Sequence, residues 1–309
     1  MTELRGGAPK VGAVVVNYNG AAFVGDFARS LSKVDYPALT TLIVDSASSD
    51  GSLEELRRLL PGRAVAPCRE NVGTAAGNNI GVRYWLEEGA DFILFLNSDT
   101  VLTPDFLAKL VAGANDTTIV VPKILYHDDP SLVSTHAGDF DWRFGVFRRT
   151  FHGRPDGPEA SRPRELQTAS FCCALVPAQA FRDAGFLDER FFMYYEETDW
   201  LRRALERGYR LRYVPEAVVF HLESASSGGG WMTPFKLYYA TRNRPYLVKK
   251  ASPTGLRWAL FTAYFLAGRA VQLLVHLLRG RRRMARALLL GVLHYYRGRM
   301  GRTLEVGQL

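Results

Sequence analysis

The chain has 309 residues, 47% of them hydrophobic and 23% charged. That composition excludes a disordered or fibrous chain and leaves room for one large domain or two smaller ones, each with a proper core. The net charge of +8 is uneven: from residue 224 to 309 fifteen Lys and Arg stand against one acid, Glu305, giving +14, so the first 223 residues carry −6. A basic tail on an acidic body points to a polyanionic surface as partner, nucleic acid or anionic lipid. The three cysteines, Cys68, Cys172 and Cys173, are odd in number and two are adjacent. This fits reduced thiols in a cytosolic compartment better than a disulfide frame. Residues 2–10 are polar and Gly-rich, and no signal peptide is expected.

Residues 11–16 read as a buried first strand closing at Asn17-Tyr18-Asn19-Gly20, and residues 22–33 have helical spacing with Phe23, Phe27 and Leu31 on one face. A second strand, 41–44, closes at Asp45, and Asp50 is placed to cap a helix running to Leu60. A third strand near 63–67 leads to Glu70-Asn71-Val72-Gly73, and a helix follows from about 75 to 88. The run 92–96 is continuously apolar and breaks into Asn97-Ser98-Asp99-Thr100, as a strand buried on both faces would. Thr103-Pro104-Asp105 then reads as a helix start with Pro at the first helical position.

Alternating strands and helices over the first ~125 residues give βαβ units and a mainly parallel sheet. In such a sheet ligands bind just past the carboxyl ends of the strands. Here those ends carry Asn17, Asp45 and Asn97 with Asp99, a nucleotide-type rim. A carboxylate two residues from another oxygen ligand suits a hard divalent cation that also holds a diphosphate. No GxGxxG follows the first strand, so a dinucleotide site loses support, and the absence of GxxxxGK[ST] excludes a P-loop.

From 120 to 164 Asp, Gly, Pro, His and Arg alternate with aromatics, and irregular hairpins with a loop at 153–163 are expected. Residues 168–176 read as another strand, with Cys172 and Cys173 inside it as small core residues. Glu196, Glu197 and Asp199 then open a helix behind an aromatic run, where the helix dipole favours their charge and one of them can serve as a general base. Residues 210–221 give two short strands around Pro215, ending at His221, a candidate metal ligand. Residues 224–230 form a Ser/Gly linker and hinge.

The rest of the chain reads as helices. Residues 256–278 are almost long enough to cross a bilayer. At 100° per residue, however, Arg257, Thr262, Arg269, Gln272, His276 and Arg279 share one side, as in an amphipathic helix. Arg281-Arg282-Arg283 and a second apolar helix, 285–296, follow. Such helices favour lying on an anionic cytoplasmic leaflet; a single span and packing onto the catalytic domain are the alternatives. No nucleic-acid reading motif accompanies the basic groups.

These motifs together resemble the family-two inverting glycosyltransferases, in particular the bacterial rhamnosyltransferase-like branch. The resemblance rests on Val16-Asn17-Tyr18-Asn19, Val44-Asp45-Ser46 with Ser49-Asp50-Gly51-Ser52, and Asn71-Val72-Gly73 through Asn78-Asn79. It continues through Leu96-Asn97-Ser98-Asp99, residues 191–199, the segment 213–221 and residues 239–244, in the family's order up to about residue 250. It implies a GT-A fold, Rossmann-like with a mainly parallel sheet and flanking helices, as a catalytic domain over 1–225. Basic, amphipathic membrane-associating helices would follow over 226–309.

The resemblance further implies a nucleotide-sugar donor bound with Mg²⁺ or Mn²⁺. It places Asn17, Asp45, Asn71, Gly73, Asn78, Asn97 and Arg242 at the donor, Asp99 and His221 at the metal, and Glu196, Glu197 and Asp199 at the chemistry. Asn97 stands where the family's metal motif begins with an acid, and Glu197 where the family has Asp. The expected reaction is inverting transfer of a sugar such as rhamnose to a hydroxyl of a cell-envelope glycan or lipid-linked acceptor, in the cytoplasm at the inner face of the membrane. Residues 224–230 with Arg242-Asn243-Arg244 would close over the diphosphate. The competing reading is a non-catalytic nucleotide-sugar-binding protein of the same fold. A sugar nucleotidyltransferase would need a Gly-rich, Arg-bearing loop that Asn17-Tyr18-Asn19-Gly20 does not supply.

Overall fold

A computed structural model describes residues 7–135, 137–222, 232–251, 254–304 and 307–308, so the linker expected at 224–230 and the boundary at 225/226 lie outside the described residues. The first half alternates as its apolar runs dictate: β1 (Val11–Asn17), α1 (Val24–Leu31), β2 (Leu39–Asp45), α2 (Ser52–Leu59), β3 (Ala64–Pro67), α3 (Gly73–Glu87) and β4 (Phe92–Asn97). The chain then runs through β5 (Thr100–Leu102), α4 (Phe106–Gly113), β6 (Thr118–Tyr126), β7 (Ala137–Asp141) and β8 (Val146–Arg149). Next come β9 (Arg164–Leu166), β10 (Thr168–Ala169), β11 (Cys173–Pro177), α5 (Ala178–Ala184), α6 (Glu196–Leu205) and β12 (Arg210–His221).

The main sheet has nine strands in the order β3-β2-β1-β4-β11-β6-β12-β5, with β9 also on β12; β10, β7 and β8 form a small second sheet. β3, β2, β1 and β4 are parallel, and β11 runs antiparallel between β4 and β6. The central strands are buried on both sides. One core layer gathers Trp85, Phe95, Phe181 and Trp200, the other Phe27, Phe106 and Leu110. Each such side chain contributes about 1.5–3 kcal/mol on burial. α3 lies close on β1 because Gly77 and Gly81 face Val16 and Val14, and because Gly12 leaves room for the Trp85 ring.

The structure departs from the expectations where a partner distant in sequence decides. In place of irregular chain after residue 120 stands β6, a nine-residue strand deep in the sheet. Lys123 interrupts its apolar run, but its amine is buried and bonded to Asp156 Oδ1 at 2.8 Å and Ser161 Oγ at 3.0 Å. The strand expected at 168–176 is two, β10 and β11, parted by a break that carries Cys172. The two strands expected around Pro215 are one, with the register shift between Val214 and Val218 absorbing the proline. α2 is capped by Gly51 at φ 83°; Asp50 instead bonds Ser52 N at 3.0 Å and Ala21 N at 2.8 Å. α4 starts at Phe106, two residues later than Pro104 suggested.

Three helices close the chain: α7 (Pro234–Lys250), α8 (Gly255–Leu278) and α9 (Arg282–Tyr296). α7 is buried along most of its length, between the 190–195 segment and α9. α8 is amphipathic, but turned round from an ordinary surface helix. His276 with Phe261 and Phe265 is buried against the protein, and Thr262, Arg269 and Gln272 are half-buried. The open side carries Leu256 (73% exposed), Val271 (65%) and Leu278 (78%), with Leu260, Leu274 and Leu277. Leu289, Leu293 and Tyr296 of α9 extend this apolar surface.

Candidate active site

The carboxyl ends of the parallel strands align: Asn17 is opposite Asp45, and Asn97 is opposite Val16. Beyond Asn97 the chain turns back at once, with Thr100 Oγ1 on Asn97 O at 2.8 Å, and β5 pairs antiparallel with the end of β12, Thr100 opposite His221. That pairing brings the His221 Nε2 to 3.2 Å from Asp99 Oδ1. Cys172, from the break before β11, also contacts the imidazole. Burial disfavours the charged ring, but Cys172 and Asp99 outweigh it, so His221 binds its proton well above the ordinary histidine range.

These groups open onto a crevice of about 480 Å³, lined also by Tyr18, Ser46, Asn71, Gly73, Thr74, Asn78 and Asn97. Asn71 Oδ1 accepts from Gly73 N at 2.9 Å and so fixes the entry into α3. Gly73 is required twice over: its φ is +77°, and a Cβ would lie 2.5 Å from Phe192 O. The next residue but one, Ala75, donates its N–H to that same carbonyl at 3.2 Å.

The opposite wall is residues 192–198. Phe192, Tyr194 and Tyr195 adopt left-handed backbone, at φ 66°, 66° and 76°, and α6 begins directly after them. This bend points Glu196 and Glu197, the first two residues of α6, into the crevice. Glu196 is buried and Glu197 half-buried. Desolvation and then the Glu197 charge raise Glu196 well above the ordinary glutamate range; desolvation raises Glu197 as well. The two buried carboxyls interact, so the pair resists carrying two charges at once. The rest of the wall is largely aromatic, Phe147 of β8, Tyr194, Tyr195 and Phe235, with the thioether of Met193 and with Lys236 in the first turn of α7.

The crevice thus brings together Asn71, Gly73, Asn78, Asn97, Asp99, Glu196, Glu197 and His221. It does not bring in four others. Asn17 and Asp45 are buried and bonded to each other, Nδ2 to Oδ1 at 2.8 Å, and to Ser48 at 3.0 and 2.7 Å. Asp199 is buried under α6 and holds Lys250 Nζ at 2.8 Å and Arg203 Nε at 3.2 Å. Arg242 is buried in α7, with its guanidinium bonded to Gly301 O, Thr303 Oγ1 and Phe191 O at 2.6–2.8 Å. The sequence reading missed Cys172, Lys236 and Asn79. Asn79 clips α3 to the loop before the aromatic run, through Leu187 O at 2.9 Å and Leu187 N at 3.0 Å. It stood in the quoted motif ending Asn78-Asn79, with no role assigned to it.

A Rossmann-like sheet with its crevice over the strand ends, widened by an antiparallel strand and walled by a second small sheet, is the architecture of a GT-A glycosyltransferase. A crystal structure of GalNAc-T7 with UDP, GalNAc and Mn²⁺ shares the fold at a TM-score of 0.57 and 16% identity, over 88% of this chain and 58% of that one. Residues 13–185, more than half of the chain, match the family model of Glycosyl transferase family 2, and the chain belongs to that family. Among its relatives are a dTDP-rhamnosyl transferase, RfbF, of Shigella flexneri and an N-acetylglucosaminyl-diphospho-decaprenol L-rhamnosyltransferase of Mycobacterium tuberculosis. The first is 24% identical over 186 residues, 58% of this chain and 61% of its own length; the second is 27% identical over 239 residues, 70% and 76%. The chain therefore spans less than two thirds of the first relative.

Proposed function

We propose that the protein transfers a sugar of the rhamnose type from a nucleoside-diphosphate donor to an acceptor hydroxyl, inverting the anomeric centre. The observation that carries this is the meeting of Asp99 and His221 with Glu196 and Glu197 across one crevice. Glu197, the less buried of the two, takes the acceptor's proton, and Glu196 beside it carries the proton that the pair retains. The acceptor oxygen bonds to the anomeric carbon from the face opposite the diphosphate, and the bond from that carbon to the diphosphate oxygen breaks. The nucleoside diphosphate departs with the bonding pair. Asn71, Asn78 and Asn97 orient the donor, and Lys236 adds positive charge on its diphosphate side. The aromatic wall receives the acceptor.

The residues present fit a hard divalent cation, Mg²⁺ or Mn²⁺. Asp99 and His221 converge at 3.2 Å, and such ions are ordinarily held by one or two protein groups with substrate phosphate oxygens. Among the described residues no third acidic, His or Cys ligand joins them, in keeping with Asn97 at the head of the motif. The cation would neutralise charge on the leaving diphosphate.

The apolar surface of α8 and α9, flanked by Arg279, Arg281, Arg282, Arg283 and Arg286, supports a place on the anionic cytoplasmic leaflet, where a lipid-linked or envelope glycan acceptor is extended. Basic groups there contribute about 1 kcal/mol each. Incubation with dTDP-, UDP- and GDP-sugars, Mn²⁺ and a polyprenyl-diphosphate glycan acceptor tests the reading. Transfer from one donor class with inverted product is expected. Donor binding with neither transfer nor hydrolysis across the panel would leave only a binding protein.

A further inference from the structure

Left-handed backbone at three aromatic residues within four positions costs about 1–3 kcal/mol each and persists only where the surroundings impose it. Here the imposing groups come from α7. Asn243 Nδ2 donates to Phe191 O at 2.9 Å, Met193 O at 2.8 Å and Tyr194 O at 3.1 Å. The amide is oriented by its other end, since Asn243 Oδ1 accepts from Arg242 Nε at 2.9 Å. Arg242 Nη2 reaches Phe191 O at 2.8 Å and Arg190 O at 3.3 Å, and its Nη1 is anchored behind by Gly301 O and Thr303 Oγ1. Its guanidinium also lies 4.7 Å from the centre of the Tyr239 ring, which stacks on Phe192. Both residues are fully buried. Between them they bind the carbonyls of residues 190, 191, 193 and 194, all in the stretch that aims the first turn of α6.

We infer that Arg242 and Asn243 are positioning residues for transfer, a clamp that holds the 190–195 loop in the one conformation that presents Glu196 and Glu197 to the acceptor hydroxyl. The inference rests on the proposed reading of that glutamate pair. It gives Arg242 a structural contact in place of a donor contact: the residue is not among those that line the crevice, and its guanidinium is held by backbone oxygens of Arg190, Phe191 and Gly301 and by Thr303 Oγ1 and Asn243 Oδ1. Segment 301–304 becomes part of the clamp, because Gly301 N also bonds Arg190 O at 2.7 Å.

The test is Asn243→Ala in the full chain, with Arg242→Lys, which keeps the charge but loses the forked geometry, and Thr303→Val, which removes only the rear anchor. Asn243→Ala should lower kcat about 100-fold, the cost of misplacing a reacting group by about 1 Å. Donor KM should stay within about threefold, since the nucleotide side is untouched. The acid limb of its pH profile should move down toward the ordinary glutamate range as water reaches the loosened pair. Backbone amides of 192–195 should exchange hydrogen faster, read without substrate. Arg242→Lys and Thr303→Val should show the same split in smaller measure, and they carry the test if Asn243→Ala does not fold. Unchanged exchange in a folded variant overturns the clamp. So does kcat near the wild-type value, or an equal loss of kcat and nucleoside-diphosphate affinity. Faster exchange in a chain that transfers no sugar supports the clamp and overturns the reading of the site.

Discussion

The two glutamates invite a direct comparison of isosteres. Replacing Glu197 by Gln removes the acceptor base while keeping shape and hydrogen bonding. Loss of a positioned base is worth about 10²–10⁴-fold in kcat, roughly 3–5 kcal/mol of barrier. Replacing Glu196 by Gln keeps a donor toward Glu197 and should leave kcat within about tenfold, because the protonated acid it mimics already has no charge. The pH profiles carry the sign. Burial raises both carboxyls, so the rate should fall with acid from a point above the ordinary glutamate range, in wild type and in Glu196→Gln alike. Stability runs the other way. A carboxyl that binds its proton more tightly folded than unfolded favours the fold at low pH and loses that contribution as pH rises through its folded pKa. Glu196→Gln should therefore match wild type in acid and melt higher at alkaline pH. Each tenfold gain in proton affinity on folding is worth about 1.4 kcal/mol, or about 2 °C in Tm for a chain of this length. Initial-rate kinetics with a radiolabelled donor, and thermal melts at pH 5 and pH 8.5, make the measurement. Equal loss of kcat in the two variants would refute the division of roles, and a Glu197→Gln enzyme at wild-type rate would remove the base from this pair.

Asp99→Asn should abolish Mn²⁺-stimulated transfer, and His221→Ala should raise the Mn²⁺ concentration needed for half-activity by about tenfold or more; metal titrations of the rate check both. Gly73→Ala should cost several-fold in soluble yield and most of the activity, because its Cβ would drive the α3 turn into Phe192; melts and nucleotide binding read this. Leu274→Glu with Leu277→Glu, both on the open side of α8, should leave the melt unchanged and reduce co-sedimentation with vesicles of one third anionic lipid by about 10-fold or more. Unaltered sedimentation would remove α8 from the lipid contact.

Much of the fold was legible because the parallel strands advertise themselves. The run 92–96 is apolar at every position since both faces are covered, and its polar end falls where the sheet ends. Of the strand-end residues so read, Asn97 and Asp99 line the crevice, while Asn17 and Asp45 are buried and bonded to each other. What the sequence hid were interactions whose other half is far along the chain or carries no side chain. Lys123, inside β6, finds its counter-charge in Asp156, 33 residues away. Arg242, expected at the donor from the resemblance, bonds the carbonyls of Phe191 and Gly301 in this structure, and any residue type offers a carbonyl. The left-handed turns at Phe192, Tyr194 and Tyr195 left no trace at all, since bulky aromatics are poor predictors of positive φ.

The helix α8 shows the same limit in another form. Periodicity established that its polar groups share a side, but periodicity is silent on which side meets the protein. Here the polar side is inward, with Arg269 half-buried over Phe265 at 5.5 Å and within 3.5 Å of Thr241 on α7. A helix packed this way leaves its leucines to the outside, which water does not favour and a bilayer does. The same packing ties α8 and α9 to α7, and α7 holds the loop that aims the glutamates. The described helices of the basic C-terminal region therefore link an exposed apolar surface to the glutamate pair, so that deleting them should remove support from the proposed site along with any attachment to lipid.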